Sequence, residues 1–166
     1  FIVASLAEAR RLGIAEDKMI YVGMGAAAKE AYSFLQRDRY DRSVSMETSI
    51  RRTLELNKMS GADFDFVELY SCFPCVPKMA RRILGWPVDK PATVFGGLTF
   101  GGGPIANYMS HAVVSMVEKL RKEKFNSVEC KFWRQQQERQ TSSTAAKVAT
   151  KIDEHCVIAQ DRANAA

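Results

Sequence analysis

The sequence is poor in the residues on which metal-binding and disulfide-stapled proteins depend. Its 166 residues include two histidines and four cysteines. So few cysteines argue against a disulfide-stapled secreted domain, and we expect a cytoplasmic protein. Cys130 and Cys156 are isolated and form no second pair beside Cys72 and Cys75, and the histidines do not cluster. The sequence therefore predicts no metal site.

Charge of one sign is never concentrated. Lys and Arg number 24 against 19 Asp and Glu, which gives a net charge of +5, and no five like charges occur in a row. A nucleic-acid binder usually has a basic stripe, so we expect no nucleic-acid partner. Residues 91–117 carry no formal charge, but prolines and glycines leave only 105–117 uninterrupted. That run is too short to span a membrane, so we expect a buried helix and no membrane span.

Proline and glycine are confined to the earlier part of the chain. All five prolines lie between 74 and 104, and the last glycine is Gly103. We therefore predict a core at 1–125 and a divergent tail of the same domain at 126–166. The chain opens on Phe1 within a helix-like pattern, and we interpret it as a piece of a longer protein.

Apolar periodicity predicts alternating strands and helices. A length of 166 residues, 46% of them hydrophobic, fits one ordered domain or half of a larger enzyme. Strand-then-helix repetition predicts an α/β layered fold. The predicted helices are residues 4–12, 45–59, 74–84 and 105–120, and the predicted strands are 19–22, 64–70, 147–150 and 155–159.

The segment Gly23-Met24-Gly25 follows a predicted strand and precedes a plausible helix, as a dinucleotide-binding turn does. That turn also needs a second strand ending in an acid about 20 residues later. Residues 36–43 are too charged to form it. An ordinary strand–turn–helix junction is the favoured interpretation.

Cys72 and Cys75 lie between a predicted strand and a predicted helix. A helix N-terminus can lower the pKa of a thiol there and create a redox pair. The alternative is two small side chains that line a turn or a site. We favour the alternative, because the following helix begins with prolines.

The strongest functional feature is rich in glycine. Five of the ten glycines fall between 96 and 103, directly before the longest predicted helix. Backbone N–H groups there can bind an oxyanion or a thioester carbonyl, and missing side chains let a ligand approach the main chain. His111 lies one turn beyond Asn107 and Tyr108. A core histidine is the favoured interpretation, and a histidine that reaches the site is the alternative.

Two ordered motifs resemble the C-terminal half of thiolases, and sterol-carrier-type thiolases and bacterial thiolase-like acetyl-CoA acetyltransferases in particular. The first is VELYSCFP at 67–74, and the second comprises Gly96-Gly97-Leu98 and Gly102-Gly103-Pro104. The resemblance runs from residue 3 to 124 or so. It implies a thiolase-type half-domain, a mixed sheet with helices on both faces, in which strand 64–70 is central and helix 105–120 is buried.

The resemblance also implies acyl transfer between coenzyme A thioesters, by Claisen condensation or thiolysis, with no bound cofactor. Tyr70 stands where the family has an oxyanion-hole Asn or His, and Gly103 stands where it has a histidine that activates the nucleophile. The expected catalytic positions are Tyr70, Gly103 and His111. The expected substrate-binding positions are Ser71, Cys72, Gly97, Gly102 and Asn107. The resemblance further implies that the two motif segments, 70–73 and 96–104, meet at one edge of the sheet.

Three interpretations follow. The chain is half of an acyl-CoA enzyme and acts only with a missing N-terminal half, which holds the nucleophilic cysteine. Alternatively, it is a weakened thiolase-like protein that binds acyl-CoA or a partner protein without turnover, since Cys156 does not match the family's late acid/base cysteine. A redox module is the least favoured. We expect the chain alone to be inactive and the full-length protein to be a homo-oligomer such as a dimer.

Overall fold

The computed structural model describes residues 1–31, 33–126 and 156–159. The chain divides into two compact units, Met24–Val113 and Phe1–Gly23 with Val114–Ala166. The division at 125 stays a prediction, because residues 127–155 and 160–166 lie outside the described part. The predicted strand at 147–150 also lies there. No described helix is long and apolar enough to cross a membrane.

The unit that contains the N-terminal residues holds a three-stranded antiparallel sheet. Its strands are β1 (Ile2–Ser5), β2 (Ile20–Tyr21) and β3 (Cys156–Ala159), in the order β1-β3-β2. Ile2 pairs with Ala159, and Ile20 pairs with Ile158. The predicted strands at 19–22 and 155–159 are therefore confirmed. The described strands pair only antiparallel, and the mixed sheet stays a prediction.

Helix α1 (Leu6–Arg11) begins later than the predicted helix at 4–12, because Ala4 and Ser5 belong to β1. The Ser5 hydroxyl accepts a hydrogen bond from the Glu8 amide and so caps the helix. Ala9 and Met19 are buried at the centre of this unit's core.

The other unit is built on helices α2 (Val44–Asn57) and α3 (Cys75–Leu84), which pack against each other. These confirm the predicted helices at 45–59 and 74–84. Each ends at a residue in the left-handed conformation, Lys58 for α2 and Gly85 for α3. The core cluster consists of Val67, Leu69, Ala80 and Trp86.

The predicted central strand at 64–70 is wrong. Val67 and Leu69 alternate inward as a strand would, but residues 66–70 belong to no described sheet. The Leu69 amide donates to the Ala92 carbonyl at 3.0 Å. Beyond that bond the Glu68 side chain, rather than a backbone carbonyl, accepts from the neighbouring amides. The side chain therefore takes the place of a β-ladder.

The helix predicted at 105–120 is present, but it begins at Tyr108, three residues later than predicted. Ala106 has a φ of 60°, which no right-handed helix allows, and the short helix α4 (Gly97–Gly101) precedes the long helix α5 (Tyr108–Asn126). Tyr108, Ala112 and Val117 form the buried stripe of α5. Two other apolar residues of the predicted helix were expected to be buried and are not. Ile105 is 97% exposed, and Met109 is 58% exposed.

The predicted helix after Gly25 is also absent, since the described residues between 22 and 31 contain none. The Met24 amide donates to Asn57 Oδ1 at 2.9 Å, and Asn57 Nδ2 donates to the Met24 carbonyl at 2.7 Å. The Ala26 amide donates to the Thr53 hydroxyl. These amides are bonded to α2, so the segment does not form a dinucleotide-binding turn.

Candidate functional site

The Glu68 carboxylate joins two segments that are distant in sequence. Glu68 is half-buried between the buried residues Val67 and Leu69. Its Oε2 atom accepts hydrogen bonds from the amides of Val94 and Phe95 at 2.6 and 2.8 Å. Backbone N–H groups that converge on one carboxylate form charge-assisted bonds, which are shorter and stronger than neutral ones.

Two hydroxyl groups complete the surroundings of this carboxylate. The Thr93 hydroxyl donates to it, with both oxygens 2.7 Å away, and the Tyr108 hydroxyl donates to Oε1 at 2.7 Å. Thr93 Oγ1 also accepts from the Gly96 amide at 2.9 Å. Glu68 is thereby connected to the glycine-rich segment and to the start of α5.

Ser71 provides a second contact between the same segments. Its Oγ accepts a hydrogen bond from the Leu98 amide at 3.0 Å. Gly97 is buried beside it with a φ of +69°, and a Cβ there would lie 2.6 Å from Ser71 Oγ. Only glycine allows this approach. The prediction that the two motif segments meet is confirmed at Ser71.

Tyr108 is 4% exposed, and its surroundings keep its hydroxyl protonated. Burial raises the pKa of Tyr108 to about 12, and the hydrogen bond and negative charge of Glu68 act in the same direction. The hydroxyl is therefore a hydrogen-bond donor at neutral pH rather than a base. The rings of Tyr70 and Phe95 pack against the Tyr108 ring, and their centroids lie 4.8 and 5.5 Å from its centroid.

Tyr70, the expected oxyanion donor, is 44% exposed. Its ring packs on Tyr108, and no hydrogen bond of its hydroxyl is found among the described residues. Its role as a donor to substrate stays a prediction.

His111 is exposed, so the interpretation as a core histidine is wrong. Its Nε2 atom lies 3.1 Å from Nδ2 of Asn107 and can accept a hydrogen bond from it. The ring lies 5.7 Å from that of Phe95, which in turn contacts Tyr108. The structure thus brings His111 and Asn107 together beside the ring of Phe95. Their roles toward substrate stay predictions.

The glycines of the second motif differ from one another. Gly102 has a φ of +70°, and its amide donates to the Leu98 carbonyl at 2.9 Å. That amide is therefore occupied within the protein, and the role of Gly102 in substrate binding stays a prediction. Gly103 is exposed, and a Cβ there would meet no atom within 4 Å. A side chain at position 103 has room.

Cys72 is half-buried, Cys75 is exposed, and both thiols are free. Cys72 follows Ser71 directly, and Cys75 is the first residue of α3. Among the described residues, no group of three or more His, Cys, Asp or Glu side chains could hold a metal ion.

Sequence reasoning missed Glu68 and Thr93 as parts of this site. One signal was available, because Glu68 is a carboxylate between two apolar residues, and a buried carboxylate needs donors. The donors themselves could not be identified, since Thr93 lies 25 positions and Tyr108 lies 40 positions away.

The fold is thiolase-like. The chain is similar to the crystal structure of a monomeric SCP2-thiolase-like protein type 1 from Mycobacterium smegmatis, at 31% sequence identity and a TM-score of 0.62. The similarity covers 70% of this chain and 26% of that chain, so this chain spans about a quarter of the relative's length. No protein-family model and no curated protein matches the chain.

Proposed function

We propose that this chain supplies two substrate-facing segments of a thiolase-like protein that handles acyl-CoA thioesters. The similarity to an SCP2-thiolase-like protein supports this proposal. The resemblance of the two motifs to the C-terminal half of thiolases supports it independently of the fold.

The contact between Ser71 and Leu98 is the observation that carries the proposal. These residues belong to the two motifs, and the 3.0 Å hydrogen bond brings the motifs together. Tyr70 lies directly before this contact, and Gly102 and Gly103 follow α4. Residues that a thiolase uses around a thioester thus belong to segments that meet.

Acyl transfer needs a nucleophile and a base, and the described residues of the second motif and of the start of α5 contribute little of either. Gly103 has no side chain, and the Tyr108 hydroxyl is bonded to Glu68. His111 faces Asn107. Claisen condensation or thiolysis therefore requires groups from an N-terminal thiolase half, which we propose as the partner of this chain.

Binding of acyl-CoA without turnover is the second candidate. It is favoured by Gly103, because the histidine of the resembling motif is replaced by a residue that can neither transfer a proton nor polarise a carbonyl. Both candidates predict binding of acetyl-CoA, and only the first predicts thiolysis.

The substitution Gly103→His separates the two candidates. Position 103 has open space around a Cβ and no positive φ, so the backbone accepts a side chain there without strain. We would measure acetyl-CoA binding by calorimetry and thiolysis of acetoacetyl-CoA by absorbance, using the protein with its N-terminal thiolase half if its gene encodes one. Raised thiolysis supports the enzyme, and unchanged thiolysis with binding intact supports the binding protein.

Gly25→His is the matched control, because a Cβ at Gly25 also meets no atom within 4 Å. We expect neither binding nor thiolysis to change in this variant. Failure of the unmodified protein to bind acetyl-CoA would overturn the proposal.

A further inference from the structure

We propose that Glu68 is a positioning residue of the acyl-CoA site, an inference that rests on the proposed function. Glu68 need not touch the substrate. Its carboxylate holds residues 93–98, which we call the glycine-rich turn, against the segment of Tyr70 and Ser71. It thereby sets the shape of the surface that the thioester meets.

The first step of the argument is the number of donors. Four groups donate to this one carboxylate, and they come from two parts of the chain. They are the amides of Val94 and Phe95, the Thr93 hydroxyl and the Tyr108 hydroxyl. Glu68 takes part in none of the ion pairs among the described residues. These donors, rather than a cation, therefore stabilise its charge.

The second step is the geometry of two attachment points. Glu68 and Ser71 lie three residues apart on one segment, and their partners Phe95 and Leu98 lie three residues apart on the other. A single hydrogen bond would leave the turn free to rotate about it. The two points, together with the backbone bond from the Leu69 amide to the Ala92 carbonyl, fix both distance and register. The Gly96 amide donates to Thr93 Oγ1, and the Thr93 hydroxyl donates to Glu68. The backbone at Gly96 is thereby connected to the first attachment point.

The third step is the need for a carboxylate. A glutamine at 68 offers one acceptor oxygen, and its NH₂ group faces groups that donate to the present residue. The Val94 and Phe95 amides then lose a charge-assisted partner. The turn loosens at the first attachment point. The bonds on either side of it, Leu69–Ala92 and Ser71–Leu98, remain, but the residues between them are no longer held to the carboxylate.

The test combines ligand affinity with local opening. In Glu68→Gln we expect the Kd for acetyl-CoA to rise about tenfold or more. We also expect faster hydrogen exchange at the Leu98 amide, which is bonded to Ser71 and not to Glu68. Tyr108→Phe removes one donor of the four, and it should give a smaller change in the same direction.

Two control variants separate positioning from general stability. Tyr21→Phe removes a matched tyrosine–glutamate bond, that of Tyr21 to Glu16 at 2.9 Å, in the other unit. Gly61→Ala is expected to lower stability by crowding the Leu84 carbonyl. Neither should change the affinity for acetyl-CoA.

An unchanged Kd in Glu68→Gln, with acetyl-CoA still bound by the unmodified protein, would overturn the proposal. So would an equal loss of affinity in Gly61→Ala, which would show that stability alone matters. If the unmodified protein binds no acetyl-CoA, the proposed function fails. The exchange rate of Leu98 then reports whether Glu68 positions the turn, and an unchanged rate rejects that role too.

Discussion

Gly97 lies so close to Ser71 that its missing Cβ would stand 2.6 Å from the serine Oγ. The approach lets the next residue, Leu98, donate its amide to that oxygen. The glycine thus determines how the two motif segments meet.

We predict that Gly97→Ala lowers the free energy of unfolding by about 1–3 kcal/mol, because it combines a positive φ with a steric clash. Urea unfolding measures the change. Gly103→Ala is the control, since position 103 has open space, and it should stay within about 0.5 kcal/mol of the unmodified protein. Equal effects of the two substitutions would contradict the described packing.

Gly61→Ala should destabilise the protein by about 3 kcal/mol, at the upper end of the range for overpacking. A Cβ at Gly61 would lie 1.8 Å from the Leu84 carbonyl oxygen, which is a backbone atom at the end of α3 and cannot rotate away. Thermal and urea unfolding measure this change. Gly25→Ala, with no atom within 4 Å of its Cβ, should be nearly neutral. A neutral Gly61→Ala would show that α3 does not approach this position.

The raised pKa of Tyr108 predicts a loss of stability in alkali. The folded state binds the phenol proton more tightly than the unfolded chain, because the pKa rises from 10.0 to about 12. The stabilisation is therefore complete below pH 10 and lost as the pH rises toward 12. Urea unfolding on either side of this window should show a smaller loss in Tyr108→Phe. Tyr21, whose pKa is also raised to about 12, accounts for part of the remainder. An identical loss in Tyr108→Phe would refute the shift.

The two motif cysteines should differ in reactivity. Cys75 is exposed and Cys72 is half-buried, so iodoacetamide should modify Cys75 several-fold faster. Peptide mass spectrometry resolves the two sites. We also predict that the pair has no dithiol–disulfide function, and insulin-reductase activity in the protein would contradict that prediction.

Local patterns were sufficient to predict part of the fold. Helices α2 and α3 follow from apolar spacing, which depends on near neighbours. The strand at 64–70 was not predictable in this way. Its alternation is real, but the neighbouring segment supplies its amides to the Glu68 side chain instead of a ladder. Which group accepts an amide is decided by tertiary packing.

The candidate site shows the same limit. The meeting of Ser71 with the glycine-rich turn was expected from the resemblance, and the structure has that contact. The bond between Glu68 and Tyr108 was not expected, because it joins residues 40 positions apart with no shared motif. The exposure of His111 was also missed. Periodicity predicts which face of a helix is apolar, but it does not predict how much of that face other segments cover.

The middle position of β3 sets an order of events on the ribosome. Strands β1 and β2 pair with β3 and not with each other in the described sheet, so this sheet cannot form until Ile158 and Ala159 have been synthesised. The contacts of α2 with α3 close much earlier in translation. During that interval β1 and β2 lack the strand that lies between them in the folded protein, and strand edges that wait for a neighbour readily join those of other chains. Yield in a cell should therefore respond to translation speed and to chaperone supply.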